Sequence, residues 1–170
     1  MAGSKAKSTL SKTCAEGKRF GIAVSKYHEE LSQALLKGAL QTLESAGAKK
    51  DDVSVAWVPG SFELPLAARA LVSQGLDAVV CLGIIVKGET THDQYIATEV
   101  ARGISALAQS SGVPVGFGVL TTQNVEQAEE RCGGKKGNKG AEAAEAVLQM
   151  LETLEQIKKI PAKPGKSVGF

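Results

Sequence analysis

An α/β fold, with helices covering both faces of one parallel sheet, is what this 170-residue sequence predicts, on three observations. Short apolar runs alternate with longer stretches whose apolar residues recur at helical spacing. A helix separates each run from the next, the arrangement that parallel strands require. The run AVVCLGIIV at 78–86 is apolar almost throughout, as suits a strand buried on both faces.

Residues 1–18, rich in Lys, Ser and Ala, read as a tail or a weak edge strand. Within them KSTLSKT (7–13) has only two Thr and one Leu to favour a strand, and no Pro to forbid one. The domain, 19–160, begins with RFGIAVS, a strand ending at Ser25. Leu31, Leu35, Leu36, Ala39, Leu40 and Leu43 then mark a helix that Gly47 stops. VSVAWV (53–58) is the second strand. Pro59 and Gly60 turn the chain, Ser61 is the expected N-cap of the next helix, and Pro65 falls in its tolerant first turn. That helix runs to about Gly75. The third strand, 78–86, leads to a helix from near Asp93 to Gln109, with Ile96, Val100, Ile104 and Leu107 on one face. Pro114 opens the fourth strand, VPVGFGVLT. Asn124 and Gln127 form a capping box for a short helix ending near Arg131. A final helix carries Val147, Leu148, Leu151 and Leu154, and 161–170 is a second tail. These patterns leave the strand order open.

Composition narrows the function. With 43% hydrophobic residues the chain suits a single domain with a sizeable core. Twenty basic residues against 18 acidic ones, net +2, argue against a dedicated nucleic-acid binder, and 4% aromatic content argues against a base-stacking platform. No apolar run spans a bilayer and no signal-peptide core follows the N-terminus, so no membrane association is expected. Cys14, Cys81 and Cys132 are odd in number and form no C-x-x-C pair, which points to a reducing, cytoplasmic setting. The absence of arginine before Arg19 argues against a transit peptide. Cys81 reads as inert core. Cys132 follows Arg131, which would acidify its thiol, but no neighbouring histidine activates it. Two histidines without clustered ligands give no support to a zinc site.

Three strand ends carry unusual residues. Lys26, Tyr27 and His28 follow the first, GSFE with Glu63 follows the second, and KGETTH with His92 follows the third. Open α/β sheets place ligands at the carboxyl ends of their strands. There His92 is either a proton-transfer group near neutral pH or a residue at the start of a helix. Gly60 and Gly88 allow close backbone approach, and the three strand ends together form a ligand crevice. Glu63, Glu89 and Glu142 are open to two readings, as general bases or as helix-start carboxylates. RCGGKKGNKG (131–140) offers Arg131, Lys135, Lys136 and Lys139, backbone N–H groups at its glycines, and Asn138 as cap of the last helix. It is either a phosphate site or a solvated basic loop. It is not a P-loop, because Asn138 stands where the second glycine is required and the segment follows a helix.

RFGIAVSKY, VPGSFELP, GIIVKGETTHDQYI, FGVLT and ERCGGKKGNKGAEAA, taken in order from Arg19 to the last helix, resemble the lumazine synthase family. The resemblance implies a flavodoxin-like three-layer α/β/α sandwich with sheet order 2-1-3-4. It implies an enzyme, a transferase of riboflavin biosynthesis. The reaction would condense 5-amino-6-(D-ribitylamino)uracil with 3,4-dihydroxy-2-butanone 4-phosphate to 6,7-dimethyl-8-ribityllumazine, phosphate and water. By the same motifs Tyr27 would stack on the pyrimidine, and Ser61, Phe62 and Glu63 would hold the ribityl chain. The backbone of Ile84, Ile85 and Val86 would bond the uracil edge. Glu89 and Thr90 would contact the butanone phosphate, and His92 would transfer protons. Phe117 would close the aromatic side, and Arg131 would bind phosphate with Lys139 and Glu142 nearby. No cofactor or metal is implied. The implied partners are the two substrates and further copies of the chain: a homopentamer, with an icosahedral shell of pentamers and riboflavin synthase association as extensions, and active sites between subunits.

Three positions depart from the family pattern. Tyr27 stands where Phe or Trp is usual, so its hydroxyl needs a partner or water. Asp93 replaces a common aromatic after the histidine and can orient the imidazole or favour its protonated form. Lys136 replaces a frequent His and adds charge to the basic loop. Two other classes remain in view, a noncatalytic module that binds a flavin or phosphorylated metabolite, and a structural shell protein.

Overall fold

The structure is a computed structural model and describes residues 14–161. The proposed edge strand at 7–13 and residues 162–170 of the expected C-terminal tail lie outside the described residues. Residues 14–17 form a turn in which Ala15 is buried and its N–H reaches the Ala46 carbonyl (2.9 Å).

Four strands make the sheet: β1 (Phe20–Ser25), β2 (Val53–Val58), β3 (Ala78–Val86) and β4 (Val115–Thr122). All pair in parallel, in the order β2-β1-β3-β4. The helices are α1 (Glu29–Ser45), α2 (Leu64–Ser73), α3 (His92–Ser111), the short α4 (Val125–Glu129) and α5 (Lys139–Lys158). The alternation of side chains along β1 and β3 divides the core between two faces. Ile22, Val24, Val80 and Leu82 pack with Leu35, Leu43, Val147 and Leu148 of α1 and α5. Ala23, Val79, Cys81 and Ile85 pack with Leu64, Ala68, Val100 and Ile104 of α2 and α3. Helices thus cover both faces of the sheet, and the three-layer sandwich with order 2-1-3-4 is the fold observed. Among the described residues no helix is long and apolar enough to cross a membrane.

Two local features differ from the sequence reading. Ser61 does not cap α2. Ser61–Glu63 form a 3₁₀ turn, Gly60 precedes it, and the Glu63 carboxylate accepts from the Gly60 N–H (2.9 Å). The Ser61 hydroxyl donates instead to the Ile84 carbonyl (3.4 Å). The expected basic loop is a hairpin of β5 (Cys132–Gly134) and β6 (Gly137–Asn138). Its Gly133 and Gly137 take φ of 113° and 81°, which L side chains resist. The N–H groups of Lys136 and Lys139 donate to the carbonyls of Glu130 and Arg131 (2.8 Å each), so neither is left to cradle an anion.

Asn138 does cap α5, accepting from Ala141 N (3.1 Å), and it also donates to the Ala34 carbonyl of α1 (2.8 Å). That bridge fits because Gly38 leaves room for the Asn138 side chain. At Gly140 a β-carbon would run into the Leu35 carbonyl. The G-N-K-G sequence therefore fastens α5 to α1 as well as carrying charge.

Candidate active site

At the carboxyl ends of β1 and β3 lies a cleft of about 670 Å³. Chain connections leave β1 and β3 towards opposite faces of the sheet, which opens a crevice between them. β3 makes the cleft's inner edge. Its pairing with β1 ends at Val24↔Leu82, while its pairing with β4 runs on to Val86. Ile84, Ile85 and Val86 therefore extend past β1 into the cleft.

Tyr27, Ser61, Phe62, Glu63, Thr90 and His92 complete much of the lining. Tyr27 lies just beyond β1, 69% exposed, with its ring edge-on to His28 at 5.1 Å between centroids. His28 opens α1 in the left-handed region (φ 58°), the one such non-glycine among the described residues. Phe62 is also largely exposed. His92 begins α3 and lies at the exposed rim. Glu89 is exposed in the preceding loop and is not among the lining residues.

Sequence reasoning missed Tyr95, Ile96 and Glu99, which also line the cleft. They follow His92 at three, four and seven positions, so all four share one helix face. That spacing in HDQYIATE was the available signal. Asp93 lines the cleft too, although its side chain is buried.

The remaining expected site residues lie elsewhere on the chain. Arg131, Lys136, Lys139 and Glu142 line a smaller pocket of about 330 Å³ beside Val119–Thr121 of β4. Arg131 Nη1 donates to the Gln127 carbonyl (2.7 Å) and lies 3.9 Å from Glu130. Lys136 pairs with Glu130 (3.2 Å) and Lys139 with Glu142 (3.1 Å). The segment is thus partly neutralised by neighbours outside it. Phe117, in the middle of β4, faces neither pocket. It lines a third hollow with Val115, Met150 and Leu154 and is 41% exposed. A groove of about 700 Å³ along α1 and α5 holds none of the expected site residues and sits away from the strand ends, so volume alone does not locate the chemistry.

Among the described residues no cysteine lines the cleft or the Arg131 pocket. Burial, then the charge of Glu129, pushes the Cys132 thiol up to about 11, which corrects the expectation that Arg131 would acidify it. Burial pushes Cys81 up to about 12. Among the described residues no three His, Cys, Asp or Glu side chains gather as metal ligands would.

The sequence profile of 6,7-dimethyl-8-ribityllumazine synthase matches residues 17–155. The chain belongs to that family. It is a transferase of riboflavin biosynthesis. The match covers β1 to most of α5, so all four hollows lie inside the family's domain. Family membership also brings small-molecule substrates and assembly into an oligomer.

Proposed function

We propose that the chain condenses 5-amino-6-(D-ribitylamino)uracil with 3,4-dihydroxy-2-butanone 4-phosphate, releasing 6,7-dimethyl-8-ribityllumazine, phosphate and water. The observation that carries this reading is the cleft itself. It joins a strand edge projecting beyond its neighbour, an exposed tyrosine ring and a rim histidine at one sheet end. A flat heterocycle stacks on Tyr27 while the Ile84–Val86 backbone bonds its edge. The ribityl chain lies along Ser61, Phe62 and Glu63, and Thr90 and Glu89 meet the butanone phosphate.

The substrate amine is itself the nucleophile, so the protein needs no nucleophilic Ser or Cys. Its tasks are orientation and proton transfer as the imine forms, phosphate leaves and the ring closes. His92, at the exposed rim, moves those protons. Arg131, with Lys139 and Glu142 beside it, binds the phosphate and stabilises its departing charge.

One chain holds the cleft, the basic pocket and Phe117 in three places, and this separation supports an active site shared between subunits. In that arrangement one chain supplies Tyr27 and His92, and its neighbour supplies Phe117 and Arg131. The exposed Phe62 and Tyr95 of the cleft favour such a contact. A homopentamer is the smallest assembly proposed, with an icosahedral shell of pentamers as its extension, in the cytoplasm and open to riboflavin synthase as a partner.

Mixing purified protein with both substrates should produce lumazine fluorescence faster than the uncatalysed condensation. No acceleration by correctly assembled protein would exclude the reading. Light scattering separates the pentamer from the shell.

A further inference from the structure

We infer that Asp93 is an additional substrate-binding residue, whose carboxylate accepts a hydrogen bond from a hydroxyl of the ribityl chain. This deepens the function proposed above and rests on it. Asp93 is the second residue of α3 and only 8% exposed, yet it lines the same cleft as His92. Its Oδ1 is buried and no donor among the described residues reaches it. A buried carboxylate oxygen without a donor loses its hydration and receives nothing in return, so such groups are rare unless a partner arrives.

Among the described residues no group provides that partner. Thr91, the N-cap of α3, makes no side-chain capping bond. His92 is the adjacent residue, and consecutive helix positions do not face each other. Among the described residues no lysine or arginine lines the cleft, whose wall carries the carboxylates of Glu63, Asp93 and Glu99. The carboxylates on this wall are acceptors suited to the O–H and N–H donors of a polyol. α3 packs against the 3₁₀ turn Ser61–Glu63, the wall along which the ribityl chain runs in the proposed function. The Cβ–Cγ torsion of Asp is broad, so the carboxylate of this cleft-lining residue can rotate to meet a ligand hydroxyl.

The test compares two ligands, 6,7-dimethyl-8-ribityllumazine and 6,7,8-trimethyllumazine, which lacks the polyol. Fluorescence titration gives both dissociation constants for the assembled wild type, Asp93→Ala and Asp93→Asn. Asp93→Ala should weaken the ribityl compound about tenfold and leave the trimethyl compound unchanged. Asp93→Asn, which keeps an acceptor oxygen, should lose less. Equal weakening of both ligands, or of neither, would overturn the inference. Should Asp93→Ala not assemble, wild-type protein is titrated with analogues that each lack one ribityl hydroxyl. A loss confined to one position, and smaller in Asp93→Asn, supports the inference, while a loss spread evenly or unchanged in Asp93→Asn overturns it. Wild type that binds neither lumazine would sink the proposed function itself, and the Asp93 inference with it.

Discussion

Among the described residues the cleft above β1 and β3 is walled by three carboxylates and no lysine or arginine, whereas the pocket beside the β5–β6 hairpin gathers Arg131, Lys136 and Lys139 around one glutamate. The cleft is about twice as large, with a stacking ring and an apolar strand edge, while the hairpin pocket is small and its charges are already partly paired. The first suits a neutral, flat, donor-rich molecule and the second an anion. On the proposed function, two substrates, one of them phosphorylated, would need both kinds of surface. The chain builds them separately, so in that proposal bringing them together would be the work of the assembly.

The comparison is broken most sharply at His92, the proposed proton-transfer residue of the cleft. His92→Ala should lower turnover roughly a hundredfold, the lower end of what a general acid–base group contributes, because an already nucleophilic amine reacts slowly unaided. The fold and ligand affinity should hold, since the imidazole is exposed at the rim. Unchanged turnover in a correctly assembled variant would remove His92 from the mechanism.

Arg131→Ala tests the other region. The KM for the phosphorylated ketone should rise about tenfold, as a charge-assisted bond to phosphate is lost. The KM for the ribitylaminouracil should move much less, and Arg131→Lys should recover only part, lacking the planar fork. Equal effects on both substrates would erase the division of labour. Some of the loss will be structural, because Arg131 also holds the Gln127 carbonyl at 2.7 Å.

Mixing the two variants sharpens the comparison into a statement about geometry. His92→Ala and Arg131→Ala chains, unfolded together and reassembled in equal amounts, should give about a quarter of the subunit interfaces with neither lesion. Assayed with the ketone well below its KM, where Arg131→Ala is also slow, activity should therefore climb to about a quarter of wild type. Activity fixed at the parental average, in assemblies shown to be mixed, would mean that both residues serve a site within one chain.

The sheet was legible because its chemistry is local. AVVCLGIIV needs no partner to announce a doubly buried strand, and the strand bounds 53–58 and 78–86 match those observed. The hairpin at 132–138 was not legible, since glycine and lysine carry no apolar alternation. The cleft was half legible: glycines, Tyr27 and His92 mark strand ends in sequence, but which ends adjoin depends on sheet order. Ser61 was misplaced as a cap because its real acceptor, the Ile84 carbonyl, is 23 residues away. Arg131 beside Cys132 suggested an acidic thiol, and what sequence could not show was how far the fold would bury that sulfur.

Cys132 supplies the smallest expected effect, because its buried thiol is a poor nucleophile for the proposed anion site beside it. The thiol is buried, with Glu129 raising it further, so at neutral pH almost none is thiolate. Cys132→Ala should leave turnover within about twofold of wild type, far from the loss that removing a nucleophile causes. Its signature should appear instead in stability at alkaline pH. The folded chain holds this proton up to about pH 11, while the unfolded chain gives it up near 9. Unfolding then releases a proton as pH rises through that window, so wild-type stability falls there. Urea midpoints measured from pH 8 to 11 should decline less steeply for Cys132→Ala, with Cys81 contributing equally to both proteins. Parallel declines would show that Cys132 ionises as freely folded as unfolded, and the sulfur would again be a candidate for chemistry beside Arg131.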